Sequence, residues 1–131
     1  MPASVTLQRL QGDYVIARFP ASSDIRSLLS AVIGTGSFAS ITRTPQEISI
    51  VCPSDSAPPG AELDGPWAAL YAGGPIPFGL TGVVTSLVSP LSAIGCPVFV
   101  VSTYDGDVLM FPRPDAERAT AALTEAGHVV L

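Results

Sequence analysis

The sequence predicts an α+β fold in which two related halves follow one another along the chain. Three observations support this prediction: short runs rich in β-branched and aromatic residues, stretches with apolar residues at helical spacing, and a proline-rich segment between the halves. A chain of 131 residues fits one ordinary domain or two very small ones. Residues 53–66 contain four prolines and few apolar residues, so we take them as the connection and divide the chain into residues 1–60 and 61–131.

The first half predicts strand, helix, strand, strand. The runs "VTLQRL" (5–10) and "YVIARF" (14–19) are rich in β-forming residues and flank a Gly-Asp turn, which indicates a hairpin or a broken strand. Residues 22–36 begin with Ser and Asp caps, carry apolar residues at helical spacing and end at a glycine, so they predict a short helix. The runs "SFASITRT" (37–44) and "EISIVCP" (47–53) predict a second hairpin.

The second half predicts strand, helix, strand, strand, helix, strand, which is the βαββαβ order of ferredoxin-like domains. Pro90 should kink or interrupt the first of these helices, and Asp105-Gly106 is a strong hairpin signal. The first half repeats the order without its second helix, and its fourth strand comes from "VTLQRL" or from the region near Trp67. The predicted elements of the second half are, in order, residues 67–73, 80–95, 96–104, 107–111, 113–127 and 128–131.

Composition excludes several classes of function. Charged residues make up 13% of the chain, against about 25% in typical globular proteins, so many positions must be buried or lie in an interface. The net charge is −5 and the six basic residues are scattered, which argues against nucleic acid as a partner. No apolar run approaches the roughly 20 residues that cross a bilayer, and no signal-peptide pattern begins the chain. We therefore expect a soluble, cytoplasmic protein without a membrane partner.

The residues that carry most catalytic and metal chemistry are few and isolated. Cys52 and Cys96 lie in apolar surroundings without CxxC spacing, so we expect buried free thiols. His128 is the single histidine and has no serine, cysteine or carboxylate partner at motif spacing, so we expect a structural role for it. The sequence thus predicts no catalytic residues, no metal site and no cofactor, and the protein is not expected to be an enzyme.

Two stretches of the chain resemble a known family. The pattern "SITRTPQEISIVCP" (40–53), a later tryptophan and "GPIPFGLTGVVTSLVSPLSAIGCPVFVVSTYDGD" (74–107) resemble the small tandem ACT-domain proteins. These are related to the regulatory ACT domains of aspartokinase and to the CASTOR arginine sensors of animals. The resemblance, looser elsewhere, extends over nearly the whole chain. It implies two tandem ACT-like half-domains, the first of them incomplete, and an amino acid bound at an interface between paired domains.

The resemblance also implies a ligand site. In CASTOR-like members the ligand is held by the start of the module's first helix and by the turn after its second strand. The family pattern S-T-Y-x-T-D reads S-T-Y-D-G-D here, so Gly106 removes a hydroxyl and is expected to loosen the turn. The ligand-binding residues implied by the resemblance are Gly79, Leu80, Thr81, Gly82, Val83, Ser102, Thr103, Tyr104 and Asp107.

The chemistry of these residues suits an amino acid, whose two charged groups need partners when they leave water. The helix that begins near Thr81 offers backbone N–H groups and a positive dipole end to a carboxylate, and Gly82 leaves room for it. Asp107 can accept hydrogen bonds from an ammonium or a cationic side chain. The alternative interpretation is structural: the Asp-Gly pair forms only a hairpin turn, Asp107 is solvated, and Thr81 only caps a helix.

The strand "VFVVSTY" (98–104) bears on assembly, because it is apolar on both faces until its end. A sheet with helices on one face needs cover for its other face or its edge, from the other half-domain or from another chain, so we expect a homodimer. The sequence therefore predicts a ligand-binding regulatory or sensor module that binds an amino acid and acts on a separate, unknown protein target. The alternative is a structural protein–protein interaction module with no small-molecule ligand.

Overall fold

The structure of the protein is a computed structural model that describes residues 4–34, 36–73 and 82–131. Its described residues form two compact units, one from Gln11–Trp67 and one from the residues before Gln11 together with those from Ala68 onward. The strands and helices are β1 (Thr6–Arg9), β2 (Tyr14–Pro20), α1 (Ile25–Val32), β3 (Ser40–Arg43), β4 (Glu47–Pro53), β5 (Glu62–Ala72), α2 (Val83–Ala93), β6 (Phe99–Ser102), β7 (Asp107–Pro112), α3 (Ala116–Glu125) and β8 (Val129–Val130).

The N-terminal unit, residues 11–67, is a sheet in the order β3, β4, β2, β5 with helix α1. Helix α1 begins at Asp24, whose carboxylate accepts hydrogen bonds from the Arg26 N–H and the Ser27 hydroxyl, as its cap sequence predicts. Its apolar residues at helical spacing turn Leu28 and Val32 into the core of the unit. The buried residues of this core are Val15, Ala17, Phe19, Leu28, Val32, Ile48, Ile50 and Cys52.

The fourth strand of the N-terminal unit comes from the region near Trp67. Strand β5 begins at Glu62, where it pairs with Arg18 of β2, so residues 62–66 are a strand and the connector is shorter than predicted. Within the connector, Ala57 and Ala61 are partly buried and pack against the core of the unit. A strand in the second half of the proline-rich segment thus completes the sheet.

The C-terminal unit contains β5, α2, β6, β7, α3 and β8, so the predicted βαββαβ order is confirmed. Strand β1 joins this unit, where it pairs antiparallel with β5 and parallel with β8. A hairpin between the runs "VTLQRL" and "YVIARF" is therefore wrong, because the neighbours of β1 are β5 and β8, whereas those of β2 are β4 and β5. The buried core residues are Leu7, Ala68, Leu70, Ala72, Leu87, Leu91, Cys96, Leu109, Phe111, Ala119 and Leu123.

Helix α2 continues for three residues beyond its internal proline. Pro90 lies inside the helix, which continues to Ala93 and ends near Gly95, a glycine with φ of +71°. Of the two predicted effects of Pro90, a kink or an interruption, the interruption is therefore wrong. Because proline has no N–H, the carbonyl of Ser86 lacks the usual donor four residues later. That carbonyl receives a different donor, described below.

Candidate functional site

The polar turn between β6 and β7 holds a buried carboxylate. Ser102 ends β6 and Asp107 begins β7, and the two residues lie opposite each other in the antiparallel pair. The Ser102 hydroxyl donates a hydrogen bond of 2.6 Å to Oδ1 of Asp107, and Asp107 is only 8% exposed. The interpretation of Asp107 as a solvated turn residue is therefore wrong.

The turn itself is held by reciprocal hydrogen bonds. The backbone N–H of Thr103 donates to the carbonyl of Gly106 at 2.8 Å, and the Gly106 N–H donates to the Thr103 hydroxyl at 3.1 Å. A Cβ atom on Gly106 would lie 2.1 Å from the carbonyl oxygen of Ala72. Gly106 therefore permits a close approach of β7 to the end of β5, and its effect on the looseness of the turn stays a prediction.

This contact places the turn beside the point where the chain leaves β5. Ala72 is the last residue of β5, and the chain enters α2 at Val83. Gly82 is the N-cap of α2, with φ of +83° and no side chain to cap the helix. The predicted site residues Gly79, Leu80 and Thr81 lie outside the described residues. The turn thus lies beside the last residue of β5, and Gly82 lies where the chain enters α2.

The remaining predicted residues differ in what they can offer a ligand. Val83 is 6% exposed, so its buried side chain leaves only the backbone N–H of the first helical turn for an anion. Tyr104 is 80% exposed on the turn. The structure joins Ser102 to Asp107 and Thr103 to Gly106 by hydrogen bonds. Gly82 and Val83 form the helix start as predicted, and their part in a site stays a prediction.

His128 has a structural role that its sequence context does not reveal in detail. Its Nδ1 accepts a hydrogen bond of 3.1 Å from the backbone N–H of Val5, and its Nε2 lies 2.8 Å from the carbonyl oxygen of Ser86. A carbonyl only accepts, so Nε2 carries the proton and the ring is the neutral tautomer. This is the carbonyl that Pro90 leaves without its helical donor. The sequence shows Pro90 four residues after Ser86, but only the folded structure shows that His128 supplies the donor that the Ser86 carbonyl lacks.

The described residues hold no cluster of three or more His, Cys, Asp or Glu side chains suited to a metal ion. Cys52 and Cys96 are buried free thiols, as predicted, and burial raises the pKa of each thiol above its ordinary value. Across residues 4–34, 36–73 and 82–131, no helix is long and apolar enough to cross a membrane.

Comparisons with known proteins identify a domain of the chain. Residues 62–125 match the model of an ACT domain, and residues 12–59 match that of an N-terminal domain of another protein family. A protein of Agrobacterium tumefaciens is 42% identical, with a TM-score of 0.87 over 98% of this chain and 93% of that one. The chain contains an ACT domain. No curated protein matches the sequence significantly.

Two more distant structures share the ACT-domain fold. A protein of unknown function from Vibrio cholerae, described as a possible transport protein, is 20% identical with a TM-score of 0.76, covering 95% of this chain and 91% of that one. The ligand-free regulatory subunit of aspartate kinase from Thermus thermophilus is 15% identical with a TM-score of 0.62, covering 89% and 93%. These identities support the fold alone. The ACT domain of residues 62–125 identifies the chain as a ligand-binding regulatory module.

Proposed function

We propose that the protein is an amino-acid sensor that binds its ligand beside the end of β5 and regulates a separate protein in the cytoplasm. The observation that carries the proposal is the buried carboxylate of Asp107, which lies next to Gly106 and therefore next to the carbonyl end of β5. The proposal assigns no reaction to the protein.

The chemistry of the turn favours a ligand that carries an ammonium group. Among the described residues the Asp107 carboxylate accepts a hydrogen bond from the neutral Ser102 hydroxyl, and in this proposal a ligand balances its negative charge. A charge-assisted hydrogen bond to an ammonium contributes about 1.5 to 3 kcal/mol. The backbone N–H groups at the start of α2, after Gly82, would bind the ligand's carboxylate. The predicted residues Gly79, Leu80, Thr81, Val83, Thr103 and Tyr104 complete the proposed site.

A thermal-shift screen of the twenty amino acids tests the proposal directly. A ligand present at about 100 times its Kd stabilises the folded protein by about 2.7 kcal/mol, which raises Tm measurably. Calorimetry of the best ligand against Asp107→Asn should show an affinity at least about tenfold weaker, because the amide keeps the shape but loses the charge. Asp105→Asn, on the exposed part of the same turn, is the matched control and should bind as the native protein does.

Two results would contradict the proposal. A screen in which no amino acid changes Tm would remove the amino acid as ligand, and equal affinities for the two asparagine variants would remove Asp107 from the site. The second candidate function is then an interaction module without a small ligand. It is favoured by three exposed apolar residues spaced four apart, Ile25 and Leu29 on α1 and Ile33 directly after the helix.

We also propose that the protein is a homodimer. Val108 and Met110, on the face of β7 opposite to the helices' core, are already buried within one chain, so a dimer is not needed to cover them. The support comes instead from β6, which pairs with β7 alone among the described strands, and from the low charge of the chain. Sedimentation at micromolar concentration should give twice the chain mass of 13.4 kDa, and a monomer would contradict this part of the proposal.

A further inference from the structure

The imidazole ring of His128 bonds on both sides to backbone groups whose roles in hydrogen bonding are fixed. A backbone N–H only donates, so Nδ1 accepts the bond from Val5 only while it carries no proton. A carbonyl only accepts, so Nε2 must carry a proton to reach the carbonyl of Ser86. The imidazolium has a proton on each nitrogen and would turn one N–H toward the N–H of Val5. The native contacts therefore fit only the neutral ring with its proton on Nε2.

Protonation of the ring affects the two contacts differently. Nε2 keeps its proton in the imidazolium, so its bond to the Ser86 carbonyl on α2 continues. Nδ1 loses its free lone pair, and the N–H of Val5 is left facing another donor. His128 is only 3% exposed, and a buried donor without an acceptor costs free energy. The cost of protonation thus falls on the segment that begins β1, not on α2.

Strand β1 is held by different neighbours at its start and at its end. Beyond its end, the N–H of Leu10 donates to the carbonyl of Ala69 in β5 at 3.0 Å. Before its start, the carbonyl of Val5 accepts a bond of 3.0 Å from the N–H of Val129, and the N–H of Val5 donates to His128. Val129 is 49% exposed, so the contacts at the start lie near the surface. The start of the strand can therefore separate while its end stays paired.

Water and charge reach the imidazole from one side. A groove of about 670 Å³ lies between α2 and α3, and His128 is among its lining residues. Helix α2 and strand β8 carry no charged residue, whereas α3 brings the exposed Glu125 to the groove. Of the other charged residues of these elements, Glu117 and Arg118 lie in the first turn of α3, and Arg9 lies at the end of β1 that pairs with β5. Water in the groove can deliver a proton, and the negative Glu125 attracts it.

We propose that His128 is a pH-sensitive switch on the start of β1. The neutral ring fastens Val5 to β8, and protonation releases Val5 together with Ser4, whose exposed hydroxyl bonds to the carbonyl of Gly127. Histidine is the side chain that normally changes charge between about pH 5 and pH 8. The fastened state binds one proton fewer than the released state, so a falling pH favours release. The switch does not depend on whether the protein binds an amino acid.

Hydrogen exchange of single backbone amides, measured by NMR between about pH 7 and pH 5, tests the switch. The N–H of Leu10 is the internal control, because it belongs to the same segment but bonds to β5. Hydroxide catalyses the exchange of both amides, so the ratio of their rates removes this common dependence. Release linked to one proton should raise the ratio of the Val5 rate to the Leu10 rate at least about tenfold over this range.

His128→Gln is the control variant, since its side-chain amide still accepts and donates but does not titrate. In this variant the ratio of the two rates should not change with pH. A second measurement uses the native protein alone: NMR of the ring nitrogens should show Nδ1 taking up its proton at the pH at which Val5 loses protection.

Three results would overturn the switch. The first is a native ratio that is constant with pH, and the second is an Nδ1 that gains a proton while Val5 stays protected. The third is a ratio that rises in His128→Gln as it does in the native protein, because another group would then be responsible. A native ratio that rises together with protonation of Nδ1, and that is constant in His128→Gln, supports the switch.

Discussion

His128 connects strand β1 to helix α2, and its replacement tests how much that connection stabilises the protein. His128→Ala removes the acceptor of the Val5 N–H and the donor to the Ser86 carbonyl. A buried backbone group left without a partner costs about 1 to 3 kcal/mol. His128 also lines the groove beside α2, through which water reaches the freed groups, so we expect the lower part of the summed range, about 2 to 4 kcal/mol.

The expected loss converts into a change of Tm. Unfolding entropy near 60 °C is about 2.1 cal/mol/K per residue, which for 131 residues gives about 0.28 kcal/mol/K. A loss of 2 to 4 kcal/mol therefore lowers Tm by about 7 to 14 °C. Calorimetry and urea unfolding of the native protein and His128→Ala measure this directly, provided that both unfold in a single transition.

A second substitution isolates the bond to Ser86. Pro90→Ala restores a backbone N–H four residues after Ser86, which can donate to the same carbonyl. In that background His128→Ala leaves only Val5 without a partner, so its cost should fall by about 1 to 2 kcal/mol. If His128→Ala costs the same with proline and with alanine at position 90, the Ser86 bond contributes nothing and the reasoning is refuted.

Two further predictions concern packing and ionisation. Gly106→Ala places a Cβ 2.1 Å from the Ala72 carbonyl oxygen, so urea unfolding should show a free energy of unfolding lower by about 3 kcal/mol or more. The control is Gly12→Ala, which has open space around it but a φ of +83°, and it should lower the free energy of unfolding by only about 1 kcal/mol. Equal losses in the two variants would contradict the close approach at Gly106. Burial raises the pKa of the Cys52 and Cys96 thiols, so on raising the pH the unfolded chain loses these protons before the folded protein does. The free energy of unfolding should therefore fall as the pH rises above about 8.5. If the free energy of unfolding of Cys96→Ala falls with pH as steeply as that of the native protein, Cys96 does not contribute to this dependence.

The order of strands and helices could be read from the sequence because local signals mark it. Asp24 caps α1, Gly95 follows α2, and the Asp-Gly pair lies in the turn between β6 and β7, as expected. Strand pairing could not be read in this way, because the partners are distant in the chain. Nothing near Thr6 indicates that β1 pairs with Val129, and nothing in the polar run 62–66 indicates a strand until β2 lies beside it.

The candidate site was only partly predictable for the same reason. The polar residues at the end of β6 were visible, and so was Asp107 as the residue to test. The need for a glycine at position 106 depends on Ala72, which lies in another strand, and the burial of Asp107 is visible only in the folded chain. The partnership of His128 with Ser86 likewise depends on packing across 42 positions of sequence.

The position of β1 between β5 and β8 bears on how the protein is made. Thr6 of β1 lies opposite Val129 of β8, so β1 can complete its pairing only after β8 has been synthesised. The N-terminal unit is built from one continuous stretch, Gln11–Trp67, and needs no such delay. Closing so long a loop costs entropy and slows folding. During synthesis the N-terminal unit, Gln11–Trp67, can thus fold while strand β1 is still unpaired.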